Sequence, residues 1–220
     1  EKGIQKGKQD TGDFPLNYIR IMSIAIKQHH GTDQPISVFS LKIGKWKNLF
    51  HEEEYKLMIA KSLNYCVFNK EPRRHDEFEM QIVGYHISAY EVCLVIKINP
   101  AHLHKMLKFF YSMIRDEIRL GLDNPASWLV KKKRSELSMT EILYTDLFEK
   151  CPANYLLVKL ITGQEVDLGY YNPRLSLMKK RLHDDNYSSV MDYAGAVGPV
   201  QVTKMDMPEK IKNKKPSKKK

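Results

Sequence analysis

Glu91 and Cys93 are two residues apart in a segment whose pattern predicts a β-strand. From residue 90 to residue 98 the sequence reads YEVCLVIKI, so apolar side chains alternate with a second set that includes Glu91 and Cys93. A carboxylate and a thiol on one strand face can bind a metal ion; the carboxylate suits Mg²⁺ or Mn²⁺, and the thiol suits softer Zn²⁺. The same pair also fits a solvated carboxylate beside a thiol that fills space. The residues alone leave both interpretations open.

Tyr111 lies at the edge of an apolar stripe in a helical pattern. The stripe recurs at helical spacing and consists of Leu103, Leu107, Phe110, Ile114 and Ile118. Lys108 and Arg115 fall on the same exposed side as Tyr111. Nearby cations favour the phenolate, whose ordinary pKa is about 10, and they can hold a phosphate. On the residue pattern alone, a tyrosine at the boundary of an amphipathic helix is the favoured interpretation.

The elements that must position these residues predict an α+β fold. They are a strand over 36–44, a helix over 50–68, a hairpin of strands over 78–88 and 90–98, and a helix over 103–120 that begins after Asn99 and Pro100. This order opens a ferredoxin-like βαββαβ sheet, which carries two helices on one face and leaves the other face free for a ligand or partner. The segment 131–150 predicts a basic turn that enters another helix, within a helical C-terminal extension.

Composition and charge set the domain limits. We expect an N-terminal extension over 1–34, the folded domain over 35–200 and a disordered Lys-rich tail over 201–220. The last thirteen residues hold seven Lys and one Glu, so +6 of the net charge of +10 lies there and +4 on the rest. Such a tail attracts polyanions without sequence preference, and it can equally serve only solubility.

Compartment is predicted from the cysteines and from hydropathy. The chain has three cysteines, an odd number, and none are in a CxxC spacing. This argues against a set of disulfides and favours a reducing compartment, the cytoplasm. No apolar run reaches the roughly 18 residues of a membrane span, and the first thirteen residues are too polar for a signal peptide. We therefore expect no membrane partner.

Four segments, in their order along the chain, resemble the REP-associated and insertion-sequence-type single-tyrosine transposases, whose signature is a His-hydrophobic-His motif. The segments are LFHEEEYKLMIAKSL, ISAYEVCLVIKI, HKMLKFFYSMIRDEI and YYNPRLSLMKKRLHDDNYSSVMDYAG. The resemblance covers roughly residues 36 to 195. It implies a transposase-like domain that recognises hairpin or single-stranded DNA.

The resemblance also implies roles for Glu91, Cys93 and Tyr111. Glu91 and Cys93 occupy the positions of the two family histidines, which hold a divalent metal, Mg²⁺ or Mn²⁺, on the scissile phosphate. Tyr111 occupies the position of the nucleophile that forms a 5′-phosphotyrosine link. Because both histidines are replaced, the motif is degenerate, and strand cleavage and rejoining are expected to be weakened or lost. An altered metal site and a site without metal both stay open.

Basic residues supply the expected DNA contacts. They are Lys108, Arg115, Lys131, Lys132, Lys133, Arg134, Lys179, Lys180 and Arg181, with tyrosines available to stack on unpaired bases. Each cluster also fits an ordinary solvated surface. The alternatives to a tyrosine transposase are a non-catalytic DNA-binding or regulatory module and an interaction protein without a DNA role. A monomer and a homodimer both remain open.

Overall fold

The fold is α+β, with a four-stranded antiparallel sheet at its centre. The computed structural model describes residues 35–68, 78–123 and 146–205. The elements are β1 (Ile36–Ile43), α1 (Glu52–Phe68), β2 (Met80–Ile87), β3 (Glu91–Ile98), α2 (Leu103–Asp123), β4 (Phe148–Cys151), α3 (Tyr155–Ile161), α4 (Pro173–Asp184) and α5 (Val190–Tyr193). Short 3₁₀ helices precede α1 and α2, over Lys45–Leu49 and Pro100–His102. The strand order is β2-β3-β1-β4, and every neighbouring pair is antiparallel.

The first face of the sheet packs against α1 and α2, as the alternating patterns predict. Phe39, Leu41 and Ile43 of β1 face the same core as Leu94 and Ile96 of β3. The predicted stripe of α2 enters this core, with Phe110, Ile114 and Ile118 fully buried. Burial of this apolar surface is the main force that holds the two helices on the sheet.

The second face of the sheet is also covered, so the expectation of a free face is wrong. Helices α3 and α4 close it. The cluster on this face consists of Val38, Val83, Cys93, Val95, Leu157, Val158, Ile161 and Leu182. The physical reason is visible in β3. On this face of the strand, Cys93 and Val95 lie between two charged residues at the strand ends and form an apolar patch, which is stabilised when a helix buries it.

Gly84 allows α3 to lie directly on the sheet. A β-carbon at this position would stand 2.6 Å from the carbonyl oxygen of Ile161 at the end of α3. The contact is with backbone, so no side-chain rotation could relieve it. A larger residue would therefore lift α3 away from β2.

The chain after α4 pairs with the outer edge of β2. The backbone N–H of Ile87 donates to Tyr187, that of Ser189 donates to Tyr85, and that of Thr203 donates to Ile82. These bonds satisfy an edge that would otherwise expose its backbone groups. Residues 201–205, which the sequence assigned to the disordered tail, are therefore part of this edge. The extension over 1–34 and residues 206–220 lie outside the described residues.

Two local predictions differ from the structure. The segment predicted as helix up to residue 150 ends in β4, a strand of four residues that pairs with Ser40 to Ile43 of β1. Four residues are too few to show a period of two, so the helical pattern before them dominated the sequence signal. Tyr90, assigned to the apolar face of β3, instead lies at the hairpin tip and is 72% exposed.

The helix starts carry the expected polar caps. The Glu54 carboxylate accepts from the backbone N–H of His51 at 2.9 Å, which satisfies a donor at the start of α1. The Asn99 side chain accepts from the N–H of Ala101 at 3.0 Å, as predicted from its position before Pro100. Within the three described ranges, no helix is both long enough and apolar enough to cross a lipid bilayer.

Candidate functional site

Glu91 and Cys93 share one face of β3, as the alternation predicts, but their surroundings differ. Cys93 is fully buried beneath α3 in the apolar cluster of the second face. Burial raises the pKa of its thiol to about 12, so the sulfur stays protonated at neutral pH. Glu91 lies at the rim and is half-buried, with its Oε2 atom 3.9 Å from the Sγ atom of Cys151 on β4.

This pair does not fit a hard divalent metal. A metal-binding cysteine must be a thiolate, whereas Cys93 is fully buried among aliphatic side chains that disfavour a charged group. Mg²⁺ and Mn²⁺ also prefer oxygen ligands, and of these two residues only Glu91 has a side-chain oxygen. Among the residues that the structure describes, no group of three or more His, Cys, Asp and Glu side chains is placed to hold a metal ion.

His86 lies in the same row of the sheet as Cys93 but contacts other partners. The register pairs His86 with Cys93, Cys93 with Ser40, and Ser40 with Cys151 across the four strands. The Nδ1 atom of His86 is 3.9 Å from the Asp185 carboxylate. Burial is the main cause that lowers the pKa of His86, so its imidazole is mostly neutral. His86 is thus part of the contact between β2 and the chain after α4.

Tyr111 lies on the other side of the sheet. It is half-buried against the first core, and its ring stacks on Phe148 with centroids 5.4 Å apart. Burial, with a smaller contribution from Asp146, raises the pKa of Tyr111 to about 12, although Arg115 acts in the opposite direction. Lys108 is exposed on the same helix. The structure therefore separates Tyr111, Lys108 and Arg115 from Glu91 and Cys93 by the thickness of the sheet.

Tyr155 is the tyrosine that the structure adds to the site. It is the first residue of α3, the helix that covers Cys93, and it is 51% exposed. The Lys159 ammonium lies 4.6 Å from the centre of its ring, in a cation–π contact. The sequence offered one signal for this helix start, since the Asn154 side chain caps it by accepting from Leu156 and Leu157.

The basic residues of α4 form an exposed surface beside two exposed tyrosines. Arg174, Lys180 and Arg181 are exposed, while Leu175 and Leu182 on the opposite side of the helix are buried. Lys179 is exposed too, and its ammonium donates to the carbonyl of Val166 at 2.8 Å. Tyr170 and Tyr171, just before α4, are 68% and 81% exposed. We call Tyr170, Tyr171, Arg174, Lys180 and Arg181 the α4 surface.

The remaining predicted contacts cannot be placed on this surface. Lys131, Lys132, Lys133 and Arg134 lie outside the described residues.

The chain matches no family model, no curated protein sequence and no solved structure.

Proposed function

We propose that the protein binds single-stranded or hairpin DNA through the α4 surface, and that tyrosine-mediated strand cleavage and rejoining is weakened or lost. The observation that carries this proposal is the exposure of Tyr170 and Tyr171, just before α4, together with that of Arg174, Lys180 and Arg181 along α4. Cations hold phosphates without sequence preference, and exposed aromatic rings stack on unpaired bases. The combination favours a strand with unstacked bases over a regular duplex.

Transposase descent is part of the proposal. The element order β1-α1-β2-β3-α2-β4 and the strand order β2-β3-β1-β4 support a ferredoxin-like arrangement. The segment that resembles the family's C-terminal motif contains both the α4 surface and the strand-like contacts of Tyr187 and Ser189 with β2. The resemblance and the exposed surface therefore meet in one part of the chain.

The placement of the reactive groups supports the proposed loss of cleavage. Cleavage needs a nucleophile and an activating group on the same phosphate. Tyr111 lies on the first face and Cys93 is buried on the second, and Cys93 does not fit a metal ligand. Tyr155 lies on the same side of the sheet as Glu91 and Cys93. It is therefore the better candidate for any residual cleavage within a single copy of the chain.

A charge-reversal experiment tests the binding. The double variant Lys180→Glu/Arg181→Glu should weaken binding of a labelled hairpin with a single-stranded flank. It should also lower the magnitude of the salt slope by about 0.7 for each phosphate that the variant no longer neutralises. Lys45→Glu/Lys61→Glu is the matched control, since both lysines are exposed elsewhere. Equal weakening by both double variants would reduce the effect to net charge and contradict an α4 surface.

A denaturing gel tests the chemistry. With Mg²⁺, Mn²⁺ or chelator, we expect no covalent protein–DNA adduct from a protein that binds the same hairpin in a native gel. An adduct that disappears in Tyr111→Phe would assign the nucleophile to Tyr111. An adduct that disappears in Tyr155→Phe would assign it to Tyr155. Either adduct would show that cleavage survives.

The second candidate is a non-catalytic interaction module, in which the Lys-rich tail alone attracts nucleic acid. Deletion of residues 208–220 separates the two, because seven of the lysines lie there. Retained, salt-dependent binding of the hairpin supports the α4 surface, whereas complete loss supports the tail.

The proposal also covers compartment and assembly. The three free cysteines support the reducing cytoplasm. Exposed apolar side chains on the outer sides of α1 and α2, namely Leu57, Tyr65, Phe68 and Leu120, support a homodimer. Light scattering of the purified chain measures its oligomeric state directly.

A further inference from the structure

A shallow cavity lies where the β2–β3 hairpin tip meets the start of α1. Its volume is about 390 Å³, near the lower end of the roughly 300–1,000 Å³ of small-molecule sites. The lining residues come from three segments: Lys47, Asn48 and Phe50 before α1, His51, Glu52 and Tyr55 at its start, and Ala89 with Tyr90 at the hairpin tip. The size is suited to one flat ring rather than to an extended ligand.

The walls of the cavity are held in place by local contacts. The hydroxyl of Tyr55 donates to the carbonyl of Ala89 at 3.2 Å, and the Lys47 ammonium donates to the same oxygen. The Lys47 ammonium also lies 4.3 Å from the centre of the Tyr90 ring. These contacts fix the hairpin tip against α1. Tyr90 is thereby positioned at the mouth of the cavity while it stays 72% exposed.

We propose that this cavity binds the base of one unpaired nucleotide, stacked on Tyr90, in the DNA strand whose phosphates contact the α4 surface; the inference rests on the function proposed above. A tyrosine ring that is 72% exposed is a stacking platform for an aromatic base.

The charges at the cavity select the base over the phosphate. Glu52, Glu53 and Glu54 are exposed at the start of α1, and three carboxylates disfavour a phosphate there. The Oε1 atom of Glu52 forms a salt bridge with the Lys56 ammonium, at 2.9 Å. Its other oxygen can accept from an exocyclic amino group. Adenine and cytosine carry such a group and thymine does not, so amino-bearing bases are preferred.

The cavity and the α4 surface are connected through the end of α4. Asp185, the residue after α4, lies 3.7 Å from the Lys56 ammonium. The Tyr187 hydroxyl donates to the carbonyl of Glu53 at 3.5 Å. The start of α1, which forms one wall of the cavity, therefore contacts the chain that leaves α4. This contact between the two segments is what the proposal uses to assign the base in the cavity and the phosphates on α4 to one DNA strand.

The test compares Tyr90→Ala with Tyr90→Phe in the full-length chain. The probe is a hairpin with a single-stranded flank in which each flank base is replaced in turn by an abasic site. Tyr90→Ala should weaken binding of the intact probe by roughly 5- to 100-fold, and Tyr90→Phe should not, because the stacking ring remains. One abasic position should weaken binding by the wild type and have no further effect on Tyr90→Ala. Equal affinity of Tyr90→Ala and wild type overturns the proposal.

A titration with free nucleosides separates this proposal from the DNA-binding function. Deoxyadenosine, deoxycytidine and thymidine are added to the protein, and saturation-transfer NMR measures binding. Binding of the first two that is lost in Tyr90→Ala supports the cavity even if the wild type binds no DNA. Absence of binding by deoxyadenosine and deoxycytidine overturns it even if the α4 surface binds DNA. Equal binding of thymidine contradicts the selection of an amino group by Glu52.

Discussion

The Tyr111 ring and the Cys93 thiol lie on opposite faces of the same sheet. Tyr111 packs on the core beneath α1 and α2, and Cys93 packs on the core beneath α3 and α4. A phosphate cannot contact both in one copy of the chain. The relationship gives each residue a structural explanation of its own, since Tyr111 stacks on Phe148 and Cys93 fills an aliphatic cluster.

Removal of the Tyr111 ring should destabilise the fold, whereas removal of its hydroxyl should not. Tyr111→Ala removes the stacking on Phe148 and should lower the free energy of unfolding by about 1–3 kcal/mol. Tyr111→Phe keeps the ring and should stay within about 0.5 kcal/mol of the wild type. Urea unfolding followed by circular dichroism measures both. Tyr171→Ala, at a position that is 81% exposed before α4, is the control and should change stability little; an equally small effect of Tyr111→Ala would refute the stacking.

The three cysteines should react in two classes. Cys66 and Cys93 are buried and Cys151 is half-buried, so a thiol reagent should modify one cysteine in the native protein and all three after unfolding. Burial raises the pKa of the Cys66 and Cys93 thiols to about 12, which slows both further. Absorbance of the released chromophore counts the thiols. Cys151→Ser should abolish the native reaction, and a native reaction that disappears in Cys93→Ser instead would place Cys93 at the surface.

The sequence predicted the first half of the fold because its apolar periods are long. Strand β1, helix α1, the hairpin and helix α2 each repeat their period several times, so the core residues Leu41, Leu63, Ile96 and Ile114 could be assigned to their faces. Strand β4 has four residues, which are too few for an alternating pattern to be recognised in the sequence. Its pairing with β1 depends on a contact more than a hundred residues away, which no local pattern encodes.

The candidate site was predicted less well than the fold. Alternation correctly placed Glu91 and Cys93 on one face, but it could not show that α3 covers this face. The apolar character of Cys93 and Val95 was the available signal for such a cover. Tyr155 was missed because its helix has seven residues and little periodicity. Tyr90 was assigned to the core because it continues the alternation, although it is the last residue of the hairpin turn, before β3 begins at Glu91.

His86 should make stability depend on pH between neutral and mildly acidic conditions. Burial is the main cause that lowers the pKa of His86. The Lys56 ammonium also lowers this pKa, whereas the Asp185 carboxylate raises it. The unfolded chain, with a pKa of about 6.5, therefore binds a proton before the folded chain does. The free energy of unfolding should fall as the pH decreases below about 6.5, and it should stop falling on this account below the folded pKa.

Unfolding curves at pH 7, 6 and 5 test the role of His86. His86→Gln removes the titrating group, so the variant should lose less stability than the wild type across this range. Both proteins share the other acidic groups, and the difference between them isolates His86. His183→Gln, at an exposed position of α4, is the control and should follow the wild type. Parallel curves for His86→Gln and the wild type would show that His86 contributes nothing to the pH dependence.

Gly198 should tolerate no side chain unless Tyr85 is shortened. A β-carbon at Gly198 would overlap the Tyr85 hydroxyl oxygen and stand 2.7 Å from the Oδ2 atom of Asp192. The Asp192 carboxylate also accepts from the N–H of Gly198 at 3.0 Å, which fixes the backbone in this place. Gly198→Ala should therefore lower the free energy of unfolding by about 1–3 kcal/mol, the usual effect of overpacking.

The double variant Gly198→Ala/Tyr85→Phe supplies the decisive comparison. Removal of the hydroxyl eliminates the closer of the two approaches, so Gly198→Ala should cost less in the Tyr85→Phe background than in the wild type. Additive effects in the urea unfolding cycle would mean that the segment after α5 is not seated on Tyr85. A coupled effect would establish that this segment closes the edge of β2, because Tyr85 belongs to β2 and Gly198 follows α5.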